Sequence, residues 1–176
     1  MTENIQLSRS IWLHDYLKSS TAERHPEIQV QQYNLTPKLI ENALRFATEV
    51  DQPIIDLWHQ PINKTSTYRC KALNILVGGS SASAHIDFRA GDREPYDNGR
   101  ECDLAGYKAF CKMILDNNIP VDKIVMEYGQ ELYGSPSWVH LQVNAVPGIV
   151  RGEVYRIGSF TNYKYVPFDL RKWIDQ

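Results

Sequence analysis

Two histidines and one aspartate, each carried by a different kind of segment, restrict how this chain can be read. His85 leaves a glycine- and serine-rich loop, Gly78 to Ser83, and enters a short alternating segment that ends on Asp92, seven positions later. His140 lies within PSWVHLQV, where Trp138, Val139, Leu141 and Val143 predict a strand. Two imidazoles and a carboxylate gathered by a fold make three protein ligands. They leave the fourth position of a tetrahedral zinc for water, as a hydrolytic zinc site requires. The spacing is not the i, i+4 of a helical HExxH motif, so strands and a loop must present the set. The ordinary reading competes with this one: a lone histidine among apolar neighbours is a packed core or rim residue, and isolated His–Asp pairs arise by chance.

The residues around these three resemble a known signature. Ser66, Tyr68, Arg69, Leu73, Asn74, Val77, Gly78, Gly79, Ser80, Ser83, His85, Ala90 and Asp92 fall where the zinc D-alanyl-D-alanine carboxypeptidases and phage L-alanyl-D-glutamate endopeptidases carry theirs. SWVHLQV is similar to the closing tryptophan-x-histidine strand of this M15-like, hedgehog/D,D-peptidase superfamily, and the resemblance runs from about Leu7 to Ile157. It implies zinc held by His85, Asp92 and His140. It implies that Arg69 holds a scissile carbonyl oxygen or a substrate carboxylate, a task suited to a fixed planar cation. Ser83 or Tyr68 would help orient the substrate.

In the most similar branch of the superfamily, a glutamate ending the strand before tryptophan-x-histidine is the general base. That implies Glu127, with Glu131 in the insertion GQELYGSPS as competitor. The E-x-x-H version of the carboxypeptidase branch is absent, because Ser137 stands three residues before His140. Three departures surround Asp92. Phe88 stands where the family has glycine and would narrow the cleft or reshape the strand. Gly91 replaces a small apolar residue, and Arg93 an apolar one. Cys70 replaces a serine, a change expected to be neutral.

Composition limits the remaining possibilities. A 176-residue chain with 43% hydrophobic residues is long enough to bury a core as one domain, residues 1–176. A net charge of −2 and the lack of a basic run argue against nucleic-acid partners. Cys70, Cys102 and Cys111 are odd in number and contain no CxxC, so a disulfide framework is not expected. No membrane-spanning run and no signal-peptide h-region appear in the sequence, so synthesis in the cytoplasm is expected.

In chain order, residues 7–18 have helical spacing, with Ser8 or Ser10 as cap, and 19–35 read as an irregular loop broken by Pro26. Thr36-Pro37 opens a helix that Pro53 should kink or break. His59, just past that helix, is either a stray ligand or a histidine facing the helix dipole. Strands are predicted over 62–67, 121–128 and 153–157, a charged turn over 93–103, and a helix over 104–117 capped by Asp103. The aromatic tail, about 158–176, has no counterpart in the family and is expected to cover a sheet edge or meet a partner.

The resulting expectation is an α+β fold, a small mainly antiparallel sheet flanked by helices. Its expected activity is zinc-dependent hydrolysis of peptidoglycan stem or cross-bridge peptides. The compact form resembles phage enzymes that reach the wall by holin release or as part of a virion. Two rivals stand beside it: a virion or tail protein that keeps the fold without hydrolysis, and a cytoplasmic D-Ala-D-Ala dipeptidase. No serine or cysteine nucleophile signature stands out.

Overall fold

The computed structural model describes residues 3–176; Met1 and Thr2, which open the stretch searched for a leader, lie outside the described residues. The elements begin with β1 (Gln6–Ser8), β2 (Ile11–Trp12), α1 (Leu13–Leu17), α2 (Ser20–Glu23), α3 (Pro26–Gln32), α4 (Pro37–Phe46), α5 (Gln52–Trp58), β3 (Ile62–Ser66) and α6 (Lys71–Leu76). They continue with β4 (Ala90–Asp97), β5 (Arg100–Glu101), α7 (Leu104–Asp116), β6 (Lys123–Glu127), β7 (Trp138–Gln142), β8 (Glu153–Ile157), β9 (Val166–Pro167) and α8 (Leu170–Asp175). β1 and β2 form a hairpin, and the other strands form one sheet in the order β3-β4-β7-β6-β8-β9, with β5 on β4. Every pairing is antiparallel except β6 with β8, which gives the expected α+β architecture.

Alternation along the strands gives the sheet two unlike faces. Ile124 and Met126 of β6 and Val139 and Leu141 of β7 are buried with Phe46, Tyr107, Phe110 and Ile114 of the covering helices. Their sequence neighbours Val125, Glu127, Trp138 and His140, with Asp92 of β4, line a cleft on the other face. A one-residue slip would therefore send His140 into the core and Leu141 into the cleft, so the apolar row fixes the register of the polar one.

Several local expectations need correcting. Over 7–18, Gln6 pairs with Trp12 and Ser8 with Ile11 in a hairpin, and helix begins at Leu13, where Asp15 Oδ2 accepts from Trp12 N at 3.2 Å. Ser8 and Ser10 cap nothing there; Ser8 Oγ and Ser10 N both donate to Gln52 Oε1 at 2.9 Å. Residues 19–35 are not irregular. Ser19 caps α2, and Pro26 is the first residue of α3, where its missing N–H costs nothing. Pro53 does not break the long helix: the π turn Ala47–Asp51, with Gln52 N donating to Ala47 O, widens the backbone just before it. In 93–103, β4 runs on to Asp97, and Asn98-Gly99, with φ of 49° and 77°, turns tightly into β5. Asp103 does cap α7, its side chain accepting from Gly106 N.

The loop between β7 and β8 hangs on Asp122, which is buried and accepts from Arg151 N at 2.9 Å, Arg151 Nε at 3.0 Å and Asn144 Nδ2 at 3.1 Å. The Arg151 bonds bring its carboxyl down to about 2. A carboxylate depressed on folding contributes stability above its unfolded value of about 4. That contribution is lost as the pH falls through about 2. Urea midpoints of the wild type are therefore expected to fall more between pH 5 and pH 2 than those of Asp122→Asn. Parallel curves would contradict this.

Candidate metal centre

The sheet itself positions two of the three candidate ligands. Asp92 of β4 lies opposite His140 of β7, and Val125 of β6 flanks His140 on its other side. His85 follows the Gly/Ser-rich loop, as expected, but the segment it enters is the 3-10 turn Ala84–Asp87 rather than an alternating one. Asp92 likewise stands inside β4 rather than at the end of a segment. The turn ends on Phe88, whose φ of 58° reverses the chain toward β4. Only glycine takes that conformation without strain, which accounts for the glycine of the family pattern. Phe88 does not narrow the cleft: it is fully buried and stacks on Tyr68, ring centroids 4.4 Å apart and 10° from parallel.

The Thr67 carbonyl accepts from His85 Nδ1 at 2.7 Å. A carbonyl cannot donate, so Nδ1 carries the proton and Nε2 presents its lone pair to the site. His85 Nε2 lies 3.2 Å from His140 Nδ1 and 3.3 Å from Asp92 Oδ1, and His140 Nδ1 lies 2.9 Å from the same oxygen. Ligand atoms around a tetrahedral zinc at ~2.0–2.1 Å stand about 3.3–3.4 Å apart, so the triangle fits the ion with slight spreading. Among the described residues these three form the group able to hold a metal.

The electrostatics agree with a cation site. Burial opposes charge on both imidazoles and prevails at His85, whose pKa is lowered. At His140 burial is outweighed by the bond and charge of Asp92, and the pKa rises. Burial alone would raise the Asp92 carboxyl, yet the two imidazoles hold it well below the usual carboxylate range. An ionised carboxylate fixed beside two ring nitrogens and away from water is a donor set suited to a divalent ion.

Glu127, the last residue of β6, places Oε1 4.0 Å from His140 Nδ1, while Oε2 accepts from Trp138 Nε1 at 3.1 Å. Burial, reinforced by the Asp92 charge, raises its pKa against the opposing effects of His140 and Trp138. Glu131 is exposed and outside the cleft. Arg69 sets Nη2 3.5 Å from Asp92 Oδ2, and its buried Nε has no partner among the described residues. Tyr68 and Ser83 line the same cleft, whose volume is about 830 Å³. His59 lies elsewhere, exposed at the end of α5 with φ 56°. Cys102 and Cys111 are buried packing residues, and Cys70 Sγ accepts from Leu73 N at 3.4 Å, the capping bond a serine would make.

The family model described as Peptidase M15 matches residues 24–113, just over half of the chain, and takes in the Ser/Gly loop, His85 and Asp92. The chain belongs to the peptidase M15 family. M15 peptidases are zinc-dependent metallopeptidases, and the donor set of this M15 chain suits that ion. Glu127 and His140 lie beyond the matched residues, and strand pairing brings them to the first half of the site. No curated protein matches the chain.

Three contributors to this M15 site escape sequence reasoning. The Thr67 carbonyl is backbone and leaves no mark in residue type. Arg156 is buried, and its Nη2 donates to the carbonyls of Glu131 at 2.8 Å and Gly134 at 3.2 Å, clamping the loop after Glu127. Gly129 makes the tight return possible, since at φ 85° an added Cβ would lie 2.1 Å from Ser135 O. The tail completes the clamp, with Trp173 Nε1 donating to Tyr133 O at 2.8 Å and β9 covering the edge of β8.

Proposed function

We propose that this M15 chain is a peptidoglycan peptidase that hydrolyses stem or cross-bridge peptides, with His85, Asp92 and His140 as zinc ligands and Glu127 as general base and acid. One observation carries the reading: three acceptor atoms 2.9–3.3 Å apart stand beside a half-buried glutamate, Glu127, at the wall of a cleft large enough for a peptide. Zinc held there would polarise a carbonyl and lower the pKa of water from ~16 toward ~7.

The chain's own groups do the rest. Trp138 fixes one oxygen of Glu127, so Oε1 is the atom left to take a proton from water and pass it to the leaving amine. A pKa raised by burial brings that carboxyl closer to the working pH, as a proton shuttle needs. Arg69 retains donor capacity at Nε for a carbonyl oxygen as it gains charge, and Ser83 and Tyr68 flank the same space. We place the enzyme, as a single domain, among phage-encoded lysins that act at the wall after holin release or from the virion, on the strength of the sequence resemblance.

Digestion of purified sacculi, with mass analysis of the products, tests this reading. Defined peptide fragments are expected, their release stopped by chelator and restored by zinc. A zinc-loaded protein that releases nothing would favour a non-hydrolytic virion protein. Cleavage of free D-Ala-D-Ala alone would favour the dipeptidase.

A further inference from the structure

Beyond the metal centre, the cleft has a wall that peptide hydrolysis does not explain. Tyr128, Trp138, Tyr163 and Tyr165 all line it. Tyr128 and Trp138 have ring centroids 4.8 Å apart, and Tyr128 and Tyr163 6.3 Å apart. Tyr163 and Tyr165 come from the tail, far beyond the residues that match the family, and they remain 63% and 58% exposed. Tertiary packing therefore gains little from their position.

Their delivery has a backbone cost. After β8 the chain turns through Ser159–Thr161, and Asn162 and Tyr163 then take φ of 51° and 56°. Tyr128 also has φ 56°. Two of the four wall residues are thus large side chains on left-handed backbone, a strain that persists where function rather than packing selects it.

The remainder of the cleft is rich in hydroxyls. Ser19, Ser20, Thr21, Ser80 and Ser83 line it together with the tyrosines. An apolar side chain would leave these hydroxyls and the phenolic edges unmatched, and it would be better served by a closed pocket than by exposed rings. A pyranose ring matches both halves, laying a C–H face on the aromatic faces and offering hydroxyl and acetamido groups to the polar lining.

We propose that the wall formed by Tyr128, Trp138, Tyr163 and Tyr165 is a subsite for an N-acetylhexosamine ring, so that the preferred substrate is a peptide still joined to its glycan. This rests on the peptidoglycan reading above for the identity of the sugar. Trp138 both belongs to the wall and holds Glu127, so an occupied wall lies directly beside the proton shuttle.

Titration of the purified full chain with the N-acetylglucosamine tetramer, followed by tryptophan fluorescence, tests the subsite directly. Saturable binding is expected. The double variant Tyr163→Ala/Tyr165→Ala is expected to weaken it at least about tenfold, equivalent to about 1.4 kcal/mol. Tyr163→Phe/Tyr165→Phe keeps the rings and should retain most of the affinity, which separates stacking from loss of fold. In parallel, the KM for glycan-linked peptide is expected to lie below that for the same peptide freed of sugar, and the alanine pair should erase the difference. Tetramer that fails to bind, or that binds the alanine pair as well as the wild type, overturns the subsite even if peptides are hydrolysed. Sugar binding without any hydrolysis would support the subsite and count against the peptidase reading instead.

Discussion

Glu127→Gln is expected to lower kcat by roughly 10²- to 10⁴-fold, the usual contribution of a positioned general acid–base group, while leaving the metal content of the protein unchanged. The amide oxygen can still accept from Trp138 Nε1, so the side chain stays in place and only its proton chemistry is lost. Glu131→Gln should leave the rate within a small factor of wild type, because that side chain is exposed and outside the cleft. His85→Ala differs from both: it removes one corner of the donor triangle and should abolish metal loading and hydrolysis together. Retention of zinc by the His85 variant would count against the ligand set. Full activity in Glu127→Gln would move the proton transfer to another group.

The second large effect lies behind the sheet. Arg93 is fully buried and donates to Asp51 through Nε at 2.9 Å and Nη2 at 2.6 Å, while Tyr16 Oη donates to Asp51 Oδ2 at 2.6 Å. Its guanidinium lies 5.4 Å from the Phe46 ring centroid and 5.8 Å from that of Tyr16. It also donates to the carbonyls of Asp92 at 2.9 Å and Ser66 at 3.2 Å. Arg93→Met strands the Asp51 carboxylate in the core and should cost about 3–5 kcal/mol, a large share of a domain's ordinary stability of about 5–15 kcal/mol. Asp51→Asn added to Arg93→Met should recover part of that loss, since no charge is then stranded and Tyr16 keeps an acceptor. Urea unfolding of the two variants checks the order, and equal stability of Arg93→Met and wild type would contradict the account.

The same pair explains why Gly91 and Arg93 depart from the family pattern together. A Cβ at Gly91 would lie 2.4–2.6 Å from the Arg93 guanidinium, which the Asp51 bonds hold in place. The arginine thus needs the glycine two residues before it, and together they anchor the backbone of Asp92 from the core side. From the chain alone each looked like an isolated irregularity, because Asp51 stands 42 positions away.

What the sequence did reveal was local. Alternation around Val139, His140 and Leu141 gives the strand and its polar face, and Thr36-Pro37 and Asp103 mark helix starts through bonds to their own first turns. Local patterns also misled where two structures share them. Ile11, Trp12 and Tyr16 read as one helical face, yet Ile11 and Trp12 stand in a hairpin strand, with Ile11 buried and Trp12 exposed, and only Tyr16 belongs to the short helix. Asn98-Gly99 carried a hairpin signal that the surrounding charges obscured. The π turn that accommodates Pro53, the Thr67 carbonyl beneath His85 and the meeting of Tyr163 with Tyr128 depend on backbone geometry or contacts distant in sequence, for which residue type gives no cue.

Anomalous scattering at the zinc edge, from crystals of the protein purified with zinc, tests the central claim most directly. The expected result is one strong peak within bonding distance of His85 Nε2, Asp92 Oδ1 and His140 Nδ1. A hydrolytically active crystal whose zinc lies elsewhere, or that holds no zinc at these three atoms, would contradict it.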